Sequence, residues 1–422
     1  MRRFWIVLCS LVLVLAGCQE GEPVASPTTT IALPTAAPTA ETTPTVATPE
    51  PESPRFTLGV WVPPTISSAE ALSEQLLSFA ETHPDVTLDL QTKSVSEQGG
   101  ILSYLRTGRT IAPSVLPDLI ALPSDQLQTA VRDGLVFPLT DLDVSGTYPA
   151  GQAFGRVNNT QYGYPFLISD FYHLVYNPNI ITGDFADRWA DFAQLERAQI
   201  ILPANGMAGA NLLLQLYASE GGSLADSETA FQLQAPPLTE ALTMLETGAI
   251  SGFLMSQSAA IVEPAEAWNL FQSGNATIIY TSAESFLTRR AEGNGSSFAP
   301  LPGDSGGARP VVHGWVWAIT TPNVERQALA AELIAHFTTP QNLSALSTEL
   351  MIPPASAAGF LDWQINEYTS FLQTELANAV AYPNTLNANG INALAAATTA
   401  ILVRQGTVQE TAEQLNAALQ PR

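Results

Sequence analysis

The chain is poor in cysteine. Of its 422 residues only Cys9 and Cys18 are cysteines, and none follows Cys18. The sequence therefore predicts a body without disulfides, without a thiol nucleophile and without a cysteine-based metal site. Its stability must come from burial of apolar side chains, and a chain of this length can bury one or two sizeable cores.

Positive charge is also scarce. The chain has 16 lysines and arginines against 39 aspartates and glutamates, which gives a formal net charge of −23, and Lys93 is its only lysine. A surface this acidic repels nucleic acid and anionic lipid head groups. We therefore expect no nucleic-acid partner, and any membrane attachment must come from something other than a basic surface.

The apolar run at the N-terminus is too short to cross a membrane. It extends from Phe4 to Ala16, follows Arg2 and Arg3, and is interrupted by Ser10. Thirteen helical residues span roughly 20 Å, whereas the hydrocarbon core of a bilayer is about 30 Å thick. The run is typical of the apolar region of a signal peptide, which we assign to residues 1–17.

The end of this segment, Leu15-Ala16-Gly17-Cys18, resembles the lipobox of bacterial lipoproteins. The resemblance implies cleavage before Cys18, followed by lipidation of its sulfur and of its new amino group. An ordinary secretory signal with a cysteine at the cleavage site is the alternative. Residues 18–54 are rich in Pro, Thr, Ala and Glu and have no apolar period, which predicts a disordered tether. We expect an extracytoplasmic body held by lipid at the outer face of the cell membrane or in the periplasm.

From residue 55 onward, strand patterns alternate with helix patterns. The first strand is predicted at Phe56–Val62, and a capping box at Ser67–Glu70 opens the helix that follows. The β-α-β rhythm of residues 55–134 predicts a mostly parallel, wound sheet. A second capping box, Thr407–Glu410, is predicted to open the last helix. Further strands are expected at 86–90, 117–122, 172–176, 276–281 and 316–320, and further helices at 211–219, 324–337 and 391–404.

Six segments together resemble the extracellular solute-binding proteins that serve sugar-type ABC importers. Their order and spacing match from about residue 55 to residue 420, which is nearly the whole body. The pattern departs at Thr277, where the family usually has Met, and near Tyr382, where many sugar-binding members have Trp. The segments are His83–Val86, Pro117–Leu122 with Asp125, Gly134–Leu139, Tyr162–Pro165 with Asp170 and Leu174–Asn177, Trp268–Ala276, and Pro300–Gly303 with Gly314–Ile319.

The resemblance implies an α/β, two-lobed, periplasmic-binding-protein-like (type II) fold with the ligand cleft between the lobes. The N-terminal lobe would comprise residues 55–172 and 319–357, and the C-terminal lobe residues 173–318 and 358–422. The implied function is capture of a small polar ligand, a carbohydrate in the first place, by lobe closure and its delivery to the permease subunits of an ABC importer. We expect a monomer that is not an enzyme and needs neither a cofactor nor a metal.

A sugar offers hydroxyls for hydrogen bonds and apolar faces for stacking, so its site needs aromatic rings with carboxylates or amides. Asp170 is the central candidate, because the resemblance places a hydroxyl-binding carboxylate there. Structural alternatives remain: a core role for Trp61, a helix-start role for Asp125, an ion pair for Asp170 and a helix cap for Asn211. The full set of ligand-binding candidates is Trp61, Asp125, Asp170, Asn211, Tyr280, Ser282, Glu284, Trp315 and Tyr382.

Three other tryptophans, Trp189, Trp268 and Trp363, occupy amphipathic helical positions and are expected in the core. Two rival functions stay open. A lipoprotein of the same fold could signal to a membrane receptor, or a secreted hydrolase could use two carboxylates about 5–10 Å apart on a carbohydrate. Turnover of a bound oligosaccharide would distinguish the hydrolase from a binding protein.

Overall fold

The computed structural model describes residues 56–420, except residues 97, 183–184, 225–230, 293–294 and 305. The predicted signal peptide, Cys18 and the predicted tether of residues 18–54 lie outside the described residues. Within the described chain the fold is α/β, as predicted from the alternating pattern.

Strands form two main sheets and one short hairpin. The described strands are β1 (Phe56–Val62), β2 (Val86–Thr92), β3 (Leu119–Pro123), β4 (Arg156–Val157), β5 (Thr160–Gln161), β6 (Tyr164–Ser169), β7 (Tyr172–Tyr176), β8 (Ile200–Ile201), β9 (Ile278–Ser282), β10 (Ser297–Ala299), β11 (Val311–Ile319) and β12 (Val380–Ala381).

Helices cover the faces of the two sheets, and short 3-10 turns connect them. The described α-helices are α1 (Pro64–Ser67), α2 (Glu70–Thr82), α3 (Ile101–Ile111), α4 (Ser124–Arg132), α5 (Pro149–Phe154), α6 (Met207–Ser219), α7 (Ala235–Ser251), α8 (Pro264–Gln272), α9 (Ala283–Arg289), α10 (Val324–Phe337), α11 (Pro340–Leu350), α12 (Glu367–Asn378), α13 (Ala388–Leu402) and α14 (Val408–Leu419). None of the helices in the described part of the chain is both long and apolar enough to cross a membrane.

The larger sheet has the order β12-β11-β3-β1-β2, and β6 also pairs with β11. Strand β1 runs parallel to β2 and β3, as the rhythm of residues 55–134 predicted. Strand β11 runs antiparallel to both β3 and β6. The parallel prediction therefore holds for the first three strands of this sheet.

The smaller sheet has the order β10-β7-β9-β8. Here only β8 and β9 are parallel, whereas β7 is antiparallel to both β9 and β10. The rhythm of residues 55–134 made no prediction for this sheet, which is mostly antiparallel. Strand β7 follows β6 directly, without the helical crossover that joins neighbouring parallel strands.

Strand β1 separates two apolar layers. Leu58, Val60 and Val62 are fully buried in a cluster with α2, α10 and α11. Trp61 points to the opposite face and packs with residues of α3 in another cluster. This alternation follows from the two-residue period of a strand.

The predicted first capping box is wrong. Ser67 ends the short helix α1, and α2 begins at Glu70 without a side-chain cap from its own N-cap residue. Instead, the Glu349 carboxylate at the end of α11 accepts hydrogen bonds from the backbone amides of Glu70 and Ala71, at 2.7 and 2.9 Å. A carboxylate from elsewhere in the fold satisfies the amides that a local cap would have served.

Other helix and strand boundaries were partly predicted. The capping box of Thr407 and Glu410 is present at the start of α14, as predicted. Helix α6 begins at Met207, so Asn211 lies inside it and is not its cap. Strand β11 begins at Val311, five residues earlier than the predicted strand, because its first half pairs with β12 and β6.

Asp118, at the entry to β3, joins β1 of the larger sheet to helix α10. Its buried carboxylate accepts a hydrogen bond from the Gly59 amide at 2.9 Å and pairs with the guanidinium of Arg326. Arg326 also donates to the carbonyl of Thr57. The aspartate of the Pro117-Asp118 motif thus holds β1 and the start of α10 against the entry to β3.

Replacing Asp118 by Ala should lower the free energy of unfolding by about 3 kcal/mol, because it leaves a guanidinium and a buried amide without their partner. Chemical denaturation measures this change. Asp85→Ala is the matched control, since Asp85 follows a proline in the same way but is exposed. An equal effect of the two substitutions would contradict the role of Asp118.

Candidate ligand-binding site

The chain passes directly from one sheet to the other at Asp170. Strand β6 ends at Ser169 in the larger sheet, and β7 begins at Tyr172 in the smaller one. Asp170 has a φ of 57°, in the left-handed region that aspartate tolerates better than most other non-glycine residues. This backbone turn places the Asp170 side chain at the junction of the two sheets.

Asn211 ties this junction to its surroundings. Its side chain is fully buried. The Nδ2 group donates to the carbonyls of Val311 and Asp170, at 2.8 and 3.4 Å, and Oδ1 accepts from Gln215 and from the Tyr280 hydroxyl, at 2.6 and 2.8 Å. All the hydrogen-bonding capacity of the amide is used inside the protein. Asn211 therefore positions the junction and presents no free group to a ligand.

Three carboxyl groups, Asp125, Asp170 and Glu284, interact electrostatically around the junction, and we call them the acidic site. Burial raises the pKa of Asp170 to about 6, and the charge of Asp125 adds to the rise. Burial and the charge of Asp170 raise the pKa of Glu284 to about 7, although the Ser282 hydroxyl and backbone amides oppose the rise. No lysine or arginine among the described residues forms an ion pair with any of the three.

Asp125 lies in the first turn of α4, as predicted, and its side chain is exposed. Its pKa is nevertheless raised, because the surrounding protein excludes part of the solvent, while the amides of Asp125 and Gln126 act in the opposite direction. On Glu284, Oε1 is buried without a hydrogen-bond partner. The acidic site thus has acceptor capacity that the described protein does not use, which suits a ligand rich in hydrogen-bond donors.

Aromatic rings line the acidic site. Tyr172 and Tyr280 stack at 5.2 Å between ring centroids, and His313 and Tyr382 stack at 4.0 Å. Burial and the charges of Asp170 and Asp125 raise the pKa of Tyr382, and burial lowers the pKa of His313 to about 3, so His313 stays neutral at physiological pH. The Tyr382 hydroxyl and the His313 Nε2 atom are both buried without a hydrogen-bond partner.

A cavity of about 590 Å³ opens beside Tyr382. One wall is formed by α4, α5 and the β4–β5 hairpin, and the other by β12 and the residues around it. We call it the arginine-lined cavity. Its lining includes Gln128, Ala150, Ala153, Arg156, Val157, Asn158, Asn159, Arg309, Val380, Ala381, Tyr382 and Asn384.

The remaining predicted site residues lie in less open positions. Trp61 is 5% exposed, and the Lys93 ammonium lies 5.3 Å from its ring centroid, so it belongs to a covered aromatic cluster. Trp315 is half-buried on the same face of β11 as the core residue Trp317. Ser282 caps α9 by accepting a hydrogen bond from the Ser285 amide at 3.2 Å. Ligand contact by Trp61, Ser282 and Trp315 stays a prediction.

The prediction of a core position is confirmed for the other three tryptophans. Trp189, Trp268 and Trp363 are 2%, 0% and 8% exposed. Trp268 lies in α8 and Trp189 in a 3-10 turn, whereas Trp363 lies in a bend before α12 and not at the predicted helical position.

Sequence reasoning missed Arg156, Arg309, Tyr172 and His313. Arg156 precedes an Asn-Asn pair, a hairpin signal that could have placed it at a turn. Tyr172 lies two residues after Asp170 and could have been included with it. Nothing local marks Arg309 or His313, because only the pairing of β11 with β6 and β12 brings them to this region.

No group of three or more His, Cys, Asp or Glu side chains in the described part of the chain is arranged to hold a metal ion. Two sheets joined by crossing strands, with unused polar groups and a cavity near the crossing, define an α/β binding protein for a small polar ligand.

The chain belongs to the family of bacterial extracellular solute-binding proteins, whose family model matches residues 63–343. The predicted resemblance is thereby confirmed, and the family is an extracytoplasmic one. No curated protein matches the chain significantly.

Solved structures confirm the two-lobed fold. The sugar-binding protein MalE of Xanthomonas citri matches with a TM-score of 0.73 at 16% identity, over 86% of this chain and 96% of its own. The cyclic alpha-maltosyl-1,6-maltose binding protein of Arthrobacter globiformis matches with a TM-score of 0.71 at 16% identity, over 86% and 97%. A family 1 extracellular solute-binding protein of Bifidobacterium longum subsp. infantis matches with a TM-score of 0.70 at 17% identity, over 86% and 98%. Identities this low establish a shared fold alone. The predicted lobe boundaries stay a prediction.

The pKa shifts at the acidic site predict that stability falls as pH rises. Folded Asp170 and Glu284 have pKa values of about 6 and 7, above those of the unfolded chain near 4, so the folded state binds more protons between pH 4 and 7. The contribution of these two carboxyl groups to stability is therefore lost as pH rises through this window. Glu284→Gln should remove part of the loss, on the order of 2 kcal/mol, when unfolding is measured at pH 5 and pH 8.

Glu413→Gln on the exposed face of α14 is the control for this measurement. The free energy of unfolding of Glu284→Gln will still depend on pH, because burial also raises the pKa of Glu375 to about 6. The histidines at the junction act in the opposite direction, since burial lowers the pKa of His173 to about 4 and that of His313 to about 3, below the value near 6.5 of the unfolded chain, so their contribution to stability grows as pH rises to about 6.5. Both histidines are present in the wild type and in Glu284→Gln, so their contribution cancels when the two proteins are compared. If the free energy of unfolding changes equally between pH 5 and pH 8 in the wild type and in Glu284→Gln, the pKa of Glu284 is not raised.

Proposed function

We propose that this protein is a lipid-anchored extracellular binding protein that captures a carbohydrate between its lobes and delivers it to an ABC importer. The observation that carries the proposal is the acidic site at the sheet junction, next to a cavity of about 590 Å³. Carboxylates accept hydrogen bonds from sugar hydroxyls, and adjacent Tyr382 has a hydroxyl without a hydrogen-bond partner.

Family membership and fold support the proposal. Solute-binding folds of two lobes bind by closure: the free protein samples open and closed forms, and ligand contacts with both lobes favour the closed one. Asp125 lies in α4, which follows β3 of the larger sheet, and Glu284 lies in α9, which follows β9 of the smaller sheet. A ligand that forms hydrogen bonds with both carboxylates would therefore link the halves built on the two sheets. Delivery requires that the permease subunits recognise the closed form. Catalysis and a cofactor have no part in this proposal.

Carbohydrate binding can be tested with a thermal-shift panel, because a ligand that binds only the folded protein raises its melting temperature. A member of the panel should raise the melting temperature of the wild type and remain chemically unchanged after incubation. Asp170→Asn should weaken binding of that sugar about tenfold or more, because the carboxylate hydrogen bonds are lost. Isothermal titration measures the change.

Asn is chosen at position 170 because it tolerates the left-handed backbone there. Asp141→Asn, at an exposed position, is the control. If Asp170→Asn binds the sugar as tightly as the wild type, Asp170 lies outside the site. Cleavage of the sugar during incubation would instead favour a hydrolase.

Lipid anchoring depends on Cys18, which lies outside the described residues. Expressed with its complete leader in a bacterium, the wild type should partition into the detergent phase of a Triton X-114 separation. Cys18→Ala should move to the aqueous phase, because the acyl chains supply the membrane affinity. Cys9→Ala is the control and should behave as the wild type. Retention of Cys18→Ala in the detergent phase would rule out this anchor.

A further inference from the structure

Two arginines of the cavity have no acidic partner. The described ion pairs of Arg106, Arg188 and Arg326 are all with aspartates. Arg156 and Arg309 line the cavity and form no ion pair with any described residue, although acidic residues outnumber basic ones by 39 to 16. Other described arginines, such as Arg197 and Arg404, also form no ion pair, and Arg156 and Arg309 are exposed, but these two line the same cavity, which makes the cavity a candidate site for negative charge.

Each of these arginines is held by a neutral acceptor. The Arg156 Nε donates to Gln161 Oε1 at 3.2 Å, and the Arg309 Nε donates to the carbonyl of Asn378 at 3.3 Å. These contacts use one nitrogen of each side chain, and the described chain provides no acceptor for the terminal nitrogens. A guanidinium of this kind can still donate two parallel hydrogen bonds to a carboxylate.

The two walls that carry the arginines are linked to each other. The Asn384 side-chain amide donates to the carbonyl of Arg156 at 3.3 Å, and the Tyr382 amide donates to the carbonyl of Val312 at 2.8 Å. Strand β12 pairs with β11 just after Arg309. Arg156 and Arg309 therefore belong to one connected part of the fold and not to independent surface segments.

An unused polar group marks the same cavity. The side chain of Tyr382 is 3% exposed, lines the cavity, and its hydroxyl has no hydrogen-bond partner. A buried hydroxyl without a partner is costly, so a ligand group is expected to satisfy it. Tyr382 interacts electrostatically with Asp170 and Asp125, and Gln128 of the cavity lies one helical turn from Asp125. Tyr382 thus lies between the cavity, which it lines, and the acidic site, with which it interacts.

We propose that the ligand is an acidic carbohydrate, with a carboxylate such as that of a uronic acid bound between Arg156 and Arg309 and its hydroxyls bound at the acidic site. This inference rests on the proposed function and names its substrate class. The cavity offers cationic donors, and the acidic site beyond Tyr382 offers anionic acceptors. The acceptors repel a carboxylate and attract hydroxyls, so the two sites fix the orientation of the sugar.

The test compares two matched pairs of disaccharides that differ only at C6: digalacturonate with its neutral galactose counterpart, and diglucuronate with its neutral glucose counterpart. Isothermal titration is carried out at low and at moderate salt. In at least one pair, the acidic member should bind the wild type about tenfold or more tightly than the neutral one, and salt should weaken only the acidic member.

Arg156→Gln and Arg309→Gln should each reduce this preference about tenfold, because each removes a charge-assisted contact. Arg132→Gln is the matched control, since the Arg132 side chain is 72% exposed at the end of α4 and outside the cavity lining. It should retain the full preference. Circular dichroism of each variant verifies folding, and a variant that keeps neutral-sugar affinity but loses the acidic preference supports the inference most directly.

Equal affinity for the acidic and neutral members of both pairs, or a preference that both cavity variants retain, would overturn the inference and leave the proposed function intact. Binding of neutral panel sugars without binding of either uronate would likewise overturn the inference and leave the proposed function intact. If no carbohydrate of the panel binds, both the inference and the proposed function fail.

Discussion

The buried amide of Asn211 is the interaction on which the rest of the site depends. It joins the two chain segments that link the sheets, since it donates to the carbonyls of Asp170 and Val311. Its acceptor atom also receives the Tyr280 hydroxyl of the smaller sheet. A fully satisfied buried amide allows few alternative geometries, because each lost hydrogen bond leaves a desolvated polar group. The left-handed turn at Asp170 is therefore held in place from within.

This fixed junction has an electrostatic consequence. It brings Asp170 close to Glu284 and Asp125 in a region poor in water and without a described cationic partner, and burial raises all three pKa values. Such an arrangement destabilises the folded protein above the raised pKa values. Buried Asp118, by contrast, has Arg326 and the Gly59 amide as partners. Buried polar atoms without a partner also occur elsewhere in the fold, but those of Glu284, His313 and Tyr382 lie around the junction, where a ligand can satisfy them.

Much of the fold was predictable from local pattern. Strand β1, helix α10 and the capping box at Thr407 begin where the sequence signals place them, because apolar period and capping chemistry are local properties. The signal at Ser67–Glu70 failed because Glu349, 279 residues from Glu70, supplies the cap. Asp125 and Asp170 were found through the family resemblance, and Glu284 through its position after the predicted strand at 276–281. Arg156 and Arg309 were not, since no spacing rule connects positions that only β11 and β12 bring together.

The sequence by itself determined the alternation of strands and helices, the family, and the residue types available for a ligand, and it predicts a signal peptide. These follow from composition, period and motif order, which need no knowledge of distant contacts. Only the tertiary structure decided that Asn211 and Tyr280 are internal ties, that Trp61 is covered, and that two arginines without acidic partners share a cavity with Tyr382. Burial and charge pairing are properties of three-dimensional neighbours, and residues far apart in the chain become neighbours only when the sheets assemble.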